Sequence, residues 1–327
     1  MRCWRVVESK QARAQRLAAD AGEKFRGEVV AAFGRQVEVQ VEGGTRIACG
    51  ARGRKMEAVC GDQVTGHIVA RGQGIIEALD ERRTVLFRRD AMREKVIAAN
   101  VSQLAYVVAG DPPFSDDLLS RCLVAAEAAG IDSLIALNKC DLGGPTRTAR
   151  TLLEPFAAIG CKVVEVVATP LNDRDDRHED GVDALRRCLA GHITLLIGQS
   201  GMGKSTLINA LVPDAQAVTG EISRALSAGR HTTTSSRLYR LERDTALNDS
   251  PGLQAFGLAH VPVDRLAYAF PEFRTGLGHC RFDDCTHQRE PGCAILALVT
   301  AGRIDPRRMQ AYTRIVDENR HAAQRFR

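Results

Sequence analysis

Residues 198–205 read Gly-Gln-Ser-Gly-Met-Gly-Lys-Ser and fit the spacing G-x-x-x-x-G-K-[ST]. Each position has a task in holding a polyphosphate. Gly198, Gly201 and Gly203 let backbone N–H groups wrap the phosphates, with Gln199, Ser200 and Met202 filling the turn between them. Lys204 places a charge on the β- and γ-phosphates, and Ser205 offers a hydroxyl to Mg²⁺. Thr206 continues into an amphipathic segment, Thr206–Leu211, whose helix N-terminus adds a favourable dipole. The bland alternative is a glycine-rich turn with a solvated lysine. The apolar strand-like run Ile193–Ile197 before the loop and the helix after it argue against that.

Two further motifs gain meaning from this loop. Asn138-Lys139-Cys140-Asp141 follows the apolar run Leu134–Leu137. A carboxylate at Asp141 accepts hydrogen bonds from guanine N1–H and N2–H₂, an edge adenine does not offer, and polar readout of that kind discriminates by about 10⁴–10⁵. Lys139 can lie along the base and Asn138 can tie this loop to the phosphate loop. Asp249-Ser250-Pro251-Gly252 lies 44 residues after Ser205, behind a weak strand at Thr245–Asn248. Asp249 can hold Mg²⁺ through water, and Gly252 can offer its N–H to the γ-phosphate. Alone, the first of these is a polar turn and the second a common turn sequence; beside a phosphate loop they predict a guanine nucleotide site for GTP and GDP with Mg²⁺.

Their order is inverted. In an ordinary GTPase the phosphate loop precedes the base reader; here the base reader is at 138, the phosphate loop at 198 and the Mg²⁺ aspartate at 249. This is a circular permutation, tolerated where original termini lie close together. It makes the γ-phosphate-responsive segment lead straight into the C-terminal region. Gly229–Thr234 lies where a switch loop belongs, and one of its three threonines, with Thr233 preferred, can bind Mg²⁺ and the γ-phosphate. Leu253 stands where many GTPases carry a water-orienting glutamine, so another group or a partner must orient the water.

A fourth constellation is Cys280-x4-Cys285-x-His287-x5-Cys293. Three thiolates and an imidazole match a closed, structural tetrahedral Zn²⁺ site. A disulfide pair or chance clustering are the alternatives, and His279 competes for the histidine position.

The surrounding elements must position these groups. From Phe25 to about Phe87 short strands alternate with glycine turns: Val37, Val39 and Val41 alternate with polar residues, Gly43-Gly44 signals a hairpin, and Gly61, Gly72 and Gly74 break the rest. About five strands predict a small barrel, with another small β-domain as the alternative. From about residue 100, apolar runs at Leu104–Ala109, Leu134–Leu137, Val163–Val167 and Ile193–Ile197 alternate with helical segments such as Asp117–Ala129 and Asp183–Ala190, which predicts a largely parallel sheet covered on both faces. Asn172–Asp180 reads as a polar surface insertion, residues 1–23 as a polar helix, and the chain ends in a basic helix. The expected limits are a basic extension at 1–23, the barrel at 24–90, the permuted nucleotide domain at 91–258 and the zinc-binding domain at 259–327.

Composition narrows the setting. The chain has 327 residues, 44% hydrophobic and 26% charged, which excludes global disorder. No apolar run approaches the roughly 18 residues of a membrane span, and Met1–Lys10 lacks a secretory h-region. A cytoplasmic setting is expected, with seven of the ten cysteines expected to be buried apolar residues. The net charge of +5 is concentrated at the ends: seven basic against three acidic residues in 1–26, and seven arginines against three acids in 303–327. That suggests a polyanionic partner touched at the periphery, with ordinary solubilising charge as the equal alternative. With only fifteen aromatic residues, backbone and shape contacts with structured RNA are expected over base stacking. Arg88, Arg89 and Arg93 are further candidates for such contact, with a solvated face as the equal alternative.

Together these motifs resemble the circularly permuted GTPases that depend on the small ribosomal subunit, the RsgA (YjeQ, EngC) family. The resemblance covers nearly the whole chain. It rests on Ile97-Ala98-Ala99-Asn100, on Asn138–Asp141, Gly198–Thr206, Gly229–Thr234 and Asp249–Gly252, and on the cysteine pattern. It implies an N-terminal OB-fold, a permuted GTPase domain and a C-terminal zinc domain. It also implies action in late maturation of the small subunit, whose rRNA is the partner and which stimulates GTP hydrolysis; a monomer is expected. His231 becomes the best candidate within the chain for handling the attacking water, the other reading being a loop histidine that meets RNA phosphate or solvent. The family's further guanine-supporting loop falls at Val167-Ala168-Thr169-Pro170, which lacks the usual serine, and no residue is assigned there. A reading from another class is an RNA-binding assembly module in which GTP controls residence and turnover is incidental. A phosphate-loop kinase is disfavoured by the base reader.

Overall fold

A computed structural model describes residues 22–51, 56–89, 94–169, 176–212, 215, 235–250, 258 and 260–325. Thirteen strands and seven helices are described. The N-terminal strands are β1 (Lys24–Phe33), β2 (Gln36–Val41), β3 (Arg46–Ala51), β4 (Gln63–Ala70) and β5 (Gln73–Leu79). They run in the order β1-β2-β3-β5-β4, and β4 closes back on β1. This is a five-stranded barrel of OB topology, which removes its own sheet edges. Val29, Val37, Val39, Ile47, Cys49, Val64 and Ile76 fill its interior, so the alternation of valines in β2 does face a core. Gly74 lies inside β5 and does not break it. A side chain there would come within 2.8 Å of Phe25 Cε1 and 3.1 Å of Cys49 Sγ, so the glycine is a packing requirement.

Val85–Arg89 (β6) and Glu94–Ala99 (β7) form a separate hairpin outside the barrel. Asn100 fastens the hairpin to the barrel, donating to Gly61 O at 2.8 Å and accepting from Arg83 N at 2.9 Å.

Next come β8 (Gln103–Ala109), α1 (Asp116–Ala129), β9 (Asp132–Asn138), α2 (Gly144–Ala158), β10 (Lys162–Glu165), α3 (Asp176–Leu189), β11 (Ile193–Gly198), α4 (Lys204–Leu211), β12 (Ser235–Glu242) and β13 (Thr245–Asp249). The order β10-β9-β8-β11-β13 is parallel throughout. All seven residues of β8 are buried, as expected of an apolar strand covered on both faces. The chain steps outward from β8 to β10, and α3 then returns it to β11 on the other side of β8. Loops after β8 and β11 therefore diverge, which opens a crevice at the carboxyl ends of the strands. Helix α3 begins at Asp176, so the expected insertion at 172–180 is helical in its second half.

One pairing joins barrel and nucleotide domain. β12 is antiparallel to β13 on one side and to β1 on the other, with Ala31 opposite Arg237 and Phe33 opposite Ser235. The barrel and the α/β sheet are thus one eleven-stranded sheet. An ion pair between Arg240 and Glu28 accompanies the ladder.

The C-terminal part comprises α5 (Val263–Leu266), two 3₁₀ turns, α6 (Ala294–Thr300) and α7 (Pro306–Arg325). Phe270, Phe273 and Tyr312 pack together with ring centroids 5.0–5.4 Å apart, and their core is continuous with that of the α/β sheet. The basic tail is partly consumed within the fold. Arg308 is 1% exposed, bonds Glu272 at 2.6 Å and lies over Phe156 and Phe270; it is no surface for RNA. Of the cysteines expected to be buried, Cys49, Cys60 and Cys122 are, whereas Cys140, Cys161 and Cys188 are half-buried; Cys3 lies outside the described residues. So do residues 1–21 of the expected N-terminal helix, Arg93 and the side chains of Arg88 and Arg89.

Candidate nucleotide site and metal centre

The phosphate loop leaves β11 at Gly198 and enters α4 at Lys204. Gly201 and Gly203 adopt φ values of 85° and 83°, the left-handed region that the tight turn requires. A side chain on Gly203 would sit 2.3 Å from Asn138 Nδ2. Met202 is buried, Ser200 is exposed, and Gln199, Ser205 and Thr206 are half-buried. Lys204 pairs with Asp249 at the end of β13, so the loop's cation and the strand-end carboxylate converge on one point.

Asn138 ends β9 and is 2% exposed. Its amide donates to Met202 O in the phosphate loop at 3.0 Å and accepts from Ala168 N at 3.1 Å. One side chain therefore binds three loops together. Lys139, at φ 59°, donates to Asp111 O at 2.8 Å. Cys140 is held by its N–H to Val166 O (3.2 Å) and its thiol to Leu137 O (3.1 Å), and burial pushes that thiol up to about 11. Asp141 follows and is half-buried.

Sequence reasoning missed the loop at 110–115. Besides accepting Lys139, it donates Ser115 N to Gln199 Oε1 at 2.8 Å, and Pro112 lies against Gly201. Its signal was available: Gly110-Asp111-Pro112-Pro113 directly follows an apolar strand, and loops at a switch point flank the ligand crevice. The backbone of Ala168, left unassigned, contacts the base reader. His231, Thr233 and Gly252 lie outside the described residues.

In the C-terminal part, Cys280, Cys285, His287 and Cys293 present ligand atoms that all lie within 4.8 Å of one another. Cys280 Sγ is 3.8 Å from Cys293 Sγ and 3.4 Å from His287 Nδ1, and Cys293 Sγ is 3.5 Å from Nδ1. Bonds of about 2.3 Å to sulfur and about 2.0 Å to nitrogen give tetrahedron edges of roughly 3.8 and 3.5 Å, so the donor set fits Zn²⁺. Burial, then hydrogen bonding with Cys293 and Cys280, pushes the Cys285 thiol up to about 12; crowded thiols of this kind need a cation to ionise. Burial also lowers His287 and favours the neutral ligand form. His279 is exposed and outside the cluster. Glu290 organises the loop by accepting from the N–H groups of Thr286 (2.9 Å), Gln288 (3.0 Å) and Arg289 (3.0 Å).

The RsgA GTPase family model matches residues 79–259. The small ribosomal subunit biogenesis GTPase RsgA of Burkholderia pseudomallei strain K96243 is 48% identical over 302 residues, covering 92% of this chain and 94% of that one. The protein of the same description from Bordetella pertussis is 49% identical over 294 residues, covering 90% and 96%. Among solved structures, YjeQ from Thermotoga maritima superposes with a TM-score of 0.67 at 28% identity, covering 91% of this chain and 99% of that one. YloQ, described as a circularly permuted GTPase, gives 0.64 at 25% identity, covering 92% and 96%. The phosphate loop, the base reader permuted ahead of it and the cysteine cluster thus stand in a chain that belongs to the RsgA GTPase family.

Proposed function

We propose that the protein hydrolyses GTP in the cytoplasm as a factor in biogenesis of the small ribosomal subunit, which it binds and which stimulates its turnover. The observation that carries the GTPase reading is Asn138, whose amide ties the Asn138–Asp141 loop to the phosphate loop and so holds a guanine reader beside a phosphate cradle. The subunit enters through the relatives, whose names state that role.

In this reading Asp141 accepts the guanine N1–H and N2–H₂ edge, Lys139 supports the base, and backbone N–H groups of Gly198–Lys204 hold the phosphates with the Lys204 ammonium. Ser205 and Asp249 are the residues to hold Mg²⁺, with Thr233 and Gly252 closing on the γ-phosphate side. When bound there, the ion would neutralise charge on the phosphates. Leu253 cannot orient water, so His231 or the subunit does, and intrinsic hydrolysis is slow. The cluster Cys280, Cys285, His287 and Cys293 holds one structural Zn²⁺.

The test is GTP hydrolysis with and without purified small subunits, beside Asp141→Asn. Subunits should raise turnover strongly. The asparagine offers a donor where guanine also donates, so it should weaken GTP binding by at least about 100-fold. GTP-dependent binding without stimulation would favour the RNA-binding module instead.

A further inference from the structure

Gln199 does more than fill a turn. Its Oε1 accepts from Ser115 N at 2.8 Å, and Ser115 is the N-cap of α1, its Oγ accepting from Leu118 N at 3.2 Å. The next two residues, Asp116 and Asp117, are both engaged by α7: Arg307 lies 3.7 Å from Asp116 and Arg314 lies 3.4 Å from Asp117. One turn on, Arg121 is 11% exposed and clamps Asp117 at 2.8 Å and both oxygens of Glu318 on α7 at 2.7 and 2.9 Å. Helix α7 is in turn bonded to the metal loop. Tyr312 Oη donates to Thr286 O at 3.1 Å, Gln288 Nε2 to Asp317 at 3.0 Å, and Arg320 to Gln288 Oε1 at 2.8 Å.

We propose that these contacts couple the C-terminal domain to the phosphate loop: the position of α7 sets the α1 N-terminus and, through Ser115 and Gln199, the geometry of the loop that holds GTP. The coupling rests on the reading of the protein as a subunit-stimulated GTPase. It gives the C-terminal domain a route to the site independent of the segment at 251–257. The rim pairs are exposed and contribute little alone. The bidentate Arg121–Glu318 pair, formed by a guanidinium that also holds Asp117, is the stiff link. It reaches the phosphate loop through two hydrogen bonds, one of them the helix cap. Coupling of this kind is reciprocal, so nucleotide state also biases α7.

The experiment uses the full, zinc-loaded chain. Glu318→Lys sets an ammonium against Arg121, whereas Gln199→Met removes the acceptor for Ser115. GTP turnover is measured without subunits and at saturating subunits, with subunit binding by co-sedimentation. Glu318→Lys should keep intrinsic turnover within about two-fold and keep subunit binding, yet lose at least about five-fold in stimulation. Gln199→Met should lose stimulation too. The double variant should fall no further than the weaker single variant, because both cut one chain. Full stimulation in Glu318→Lys, multiplied losses in the double variant, or loss of subunit binding in parallel with stimulation would each overturn the coupling. Glu318→Gln, which keeps the side chain's size, repeats the test where the lysine prevents folding. Absence of stimulation in the unmodified protein would instead remove the underlying functional reading, and the coupling with it.

Discussion

Gly203→Ala concentrates the logic of the nucleotide site in one methyl group. At φ 83° an L-residue is strained by about 1 kcal/mol. The added Cβ would stand 2.3 Å from Asn138 Nδ2 and 3.6 Å from its Cγ. Asn138 has little freedom to yield: it is 2% exposed and bonded to Met202 O at 3.0 Å and Ala168 N at 3.1 Å. Displacing it leaves at least one buried polar group unpaired, at about 1–3 kcal/mol. The sum, about 2–4 kcal/mol, falls on the conformation that binds nucleotide and corresponds to roughly 30- to 700-fold in affinity. Titration with a fluorescent GDP analogue measures it, and thermal unfolding shows whether the variant is folded. A folded variant that binds within about three-fold of the parent would refute the account of Asn138 as a rigid brace.

Other outcomes follow from the same geometry. Cys285→Ser should reduce bound zinc from one equivalent toward none and lower the unfolding temperature, with chelation of the parent reproducing the effect; unchanged melting after verified metal loss would remove the structural role of the ion. Burial opposes ionisation of Glu290, but hydrogen bonds from Thr286 and neighbouring backbone N–H groups outweigh it and hold the carboxyl at about 2, against an ordinary 4.5. Its contribution is therefore complete above pH 4.5 and fades as pH falls toward 2. The stability gap between parent and Glu290→Gln should close over that window, and a gap constant from pH 6 to 3 would contradict it. His231→Ala should lower subunit-stimulated turnover by at least about 100-fold while sparing nucleotide affinity; unchanged stimulated turnover assigns the water to another group.

What the sequence made legible was local. The phosphate loop, the base reader and the four metal ligands are short patterns with fixed spacing, and hydrophobic period separates the valine alternation of β2 from the continuous apolar run of β8. What it hid was relational. Ala31 pairs with Arg237 across two hundred residues and leaves no periodic trace. Arg308 reads as one more cation of a basic tail, yet it is buried between two aromatic rings and Glu272, because burial of a charge depends on partners elsewhere in the chain. Gly74 looked like a strand break because glycine marks both turns and close approaches, and only the position of Phe25 distinguishes them.

The ladder between β1 and β12 bears on how this chain can be cut. A module joined by a linker is removed by severing the linker; here the seam runs through a row of backbone hydrogen bonds. Excising the barrel strands would strip β12 of its neighbour at residues 235–237 and turn an interior strand into a raw edge, the kind that pairs with another copy. A truncated nucleotide domain should therefore aggregate unless another strand caps it. Barrel and GTPase share one sheet even though they are separate as architecture.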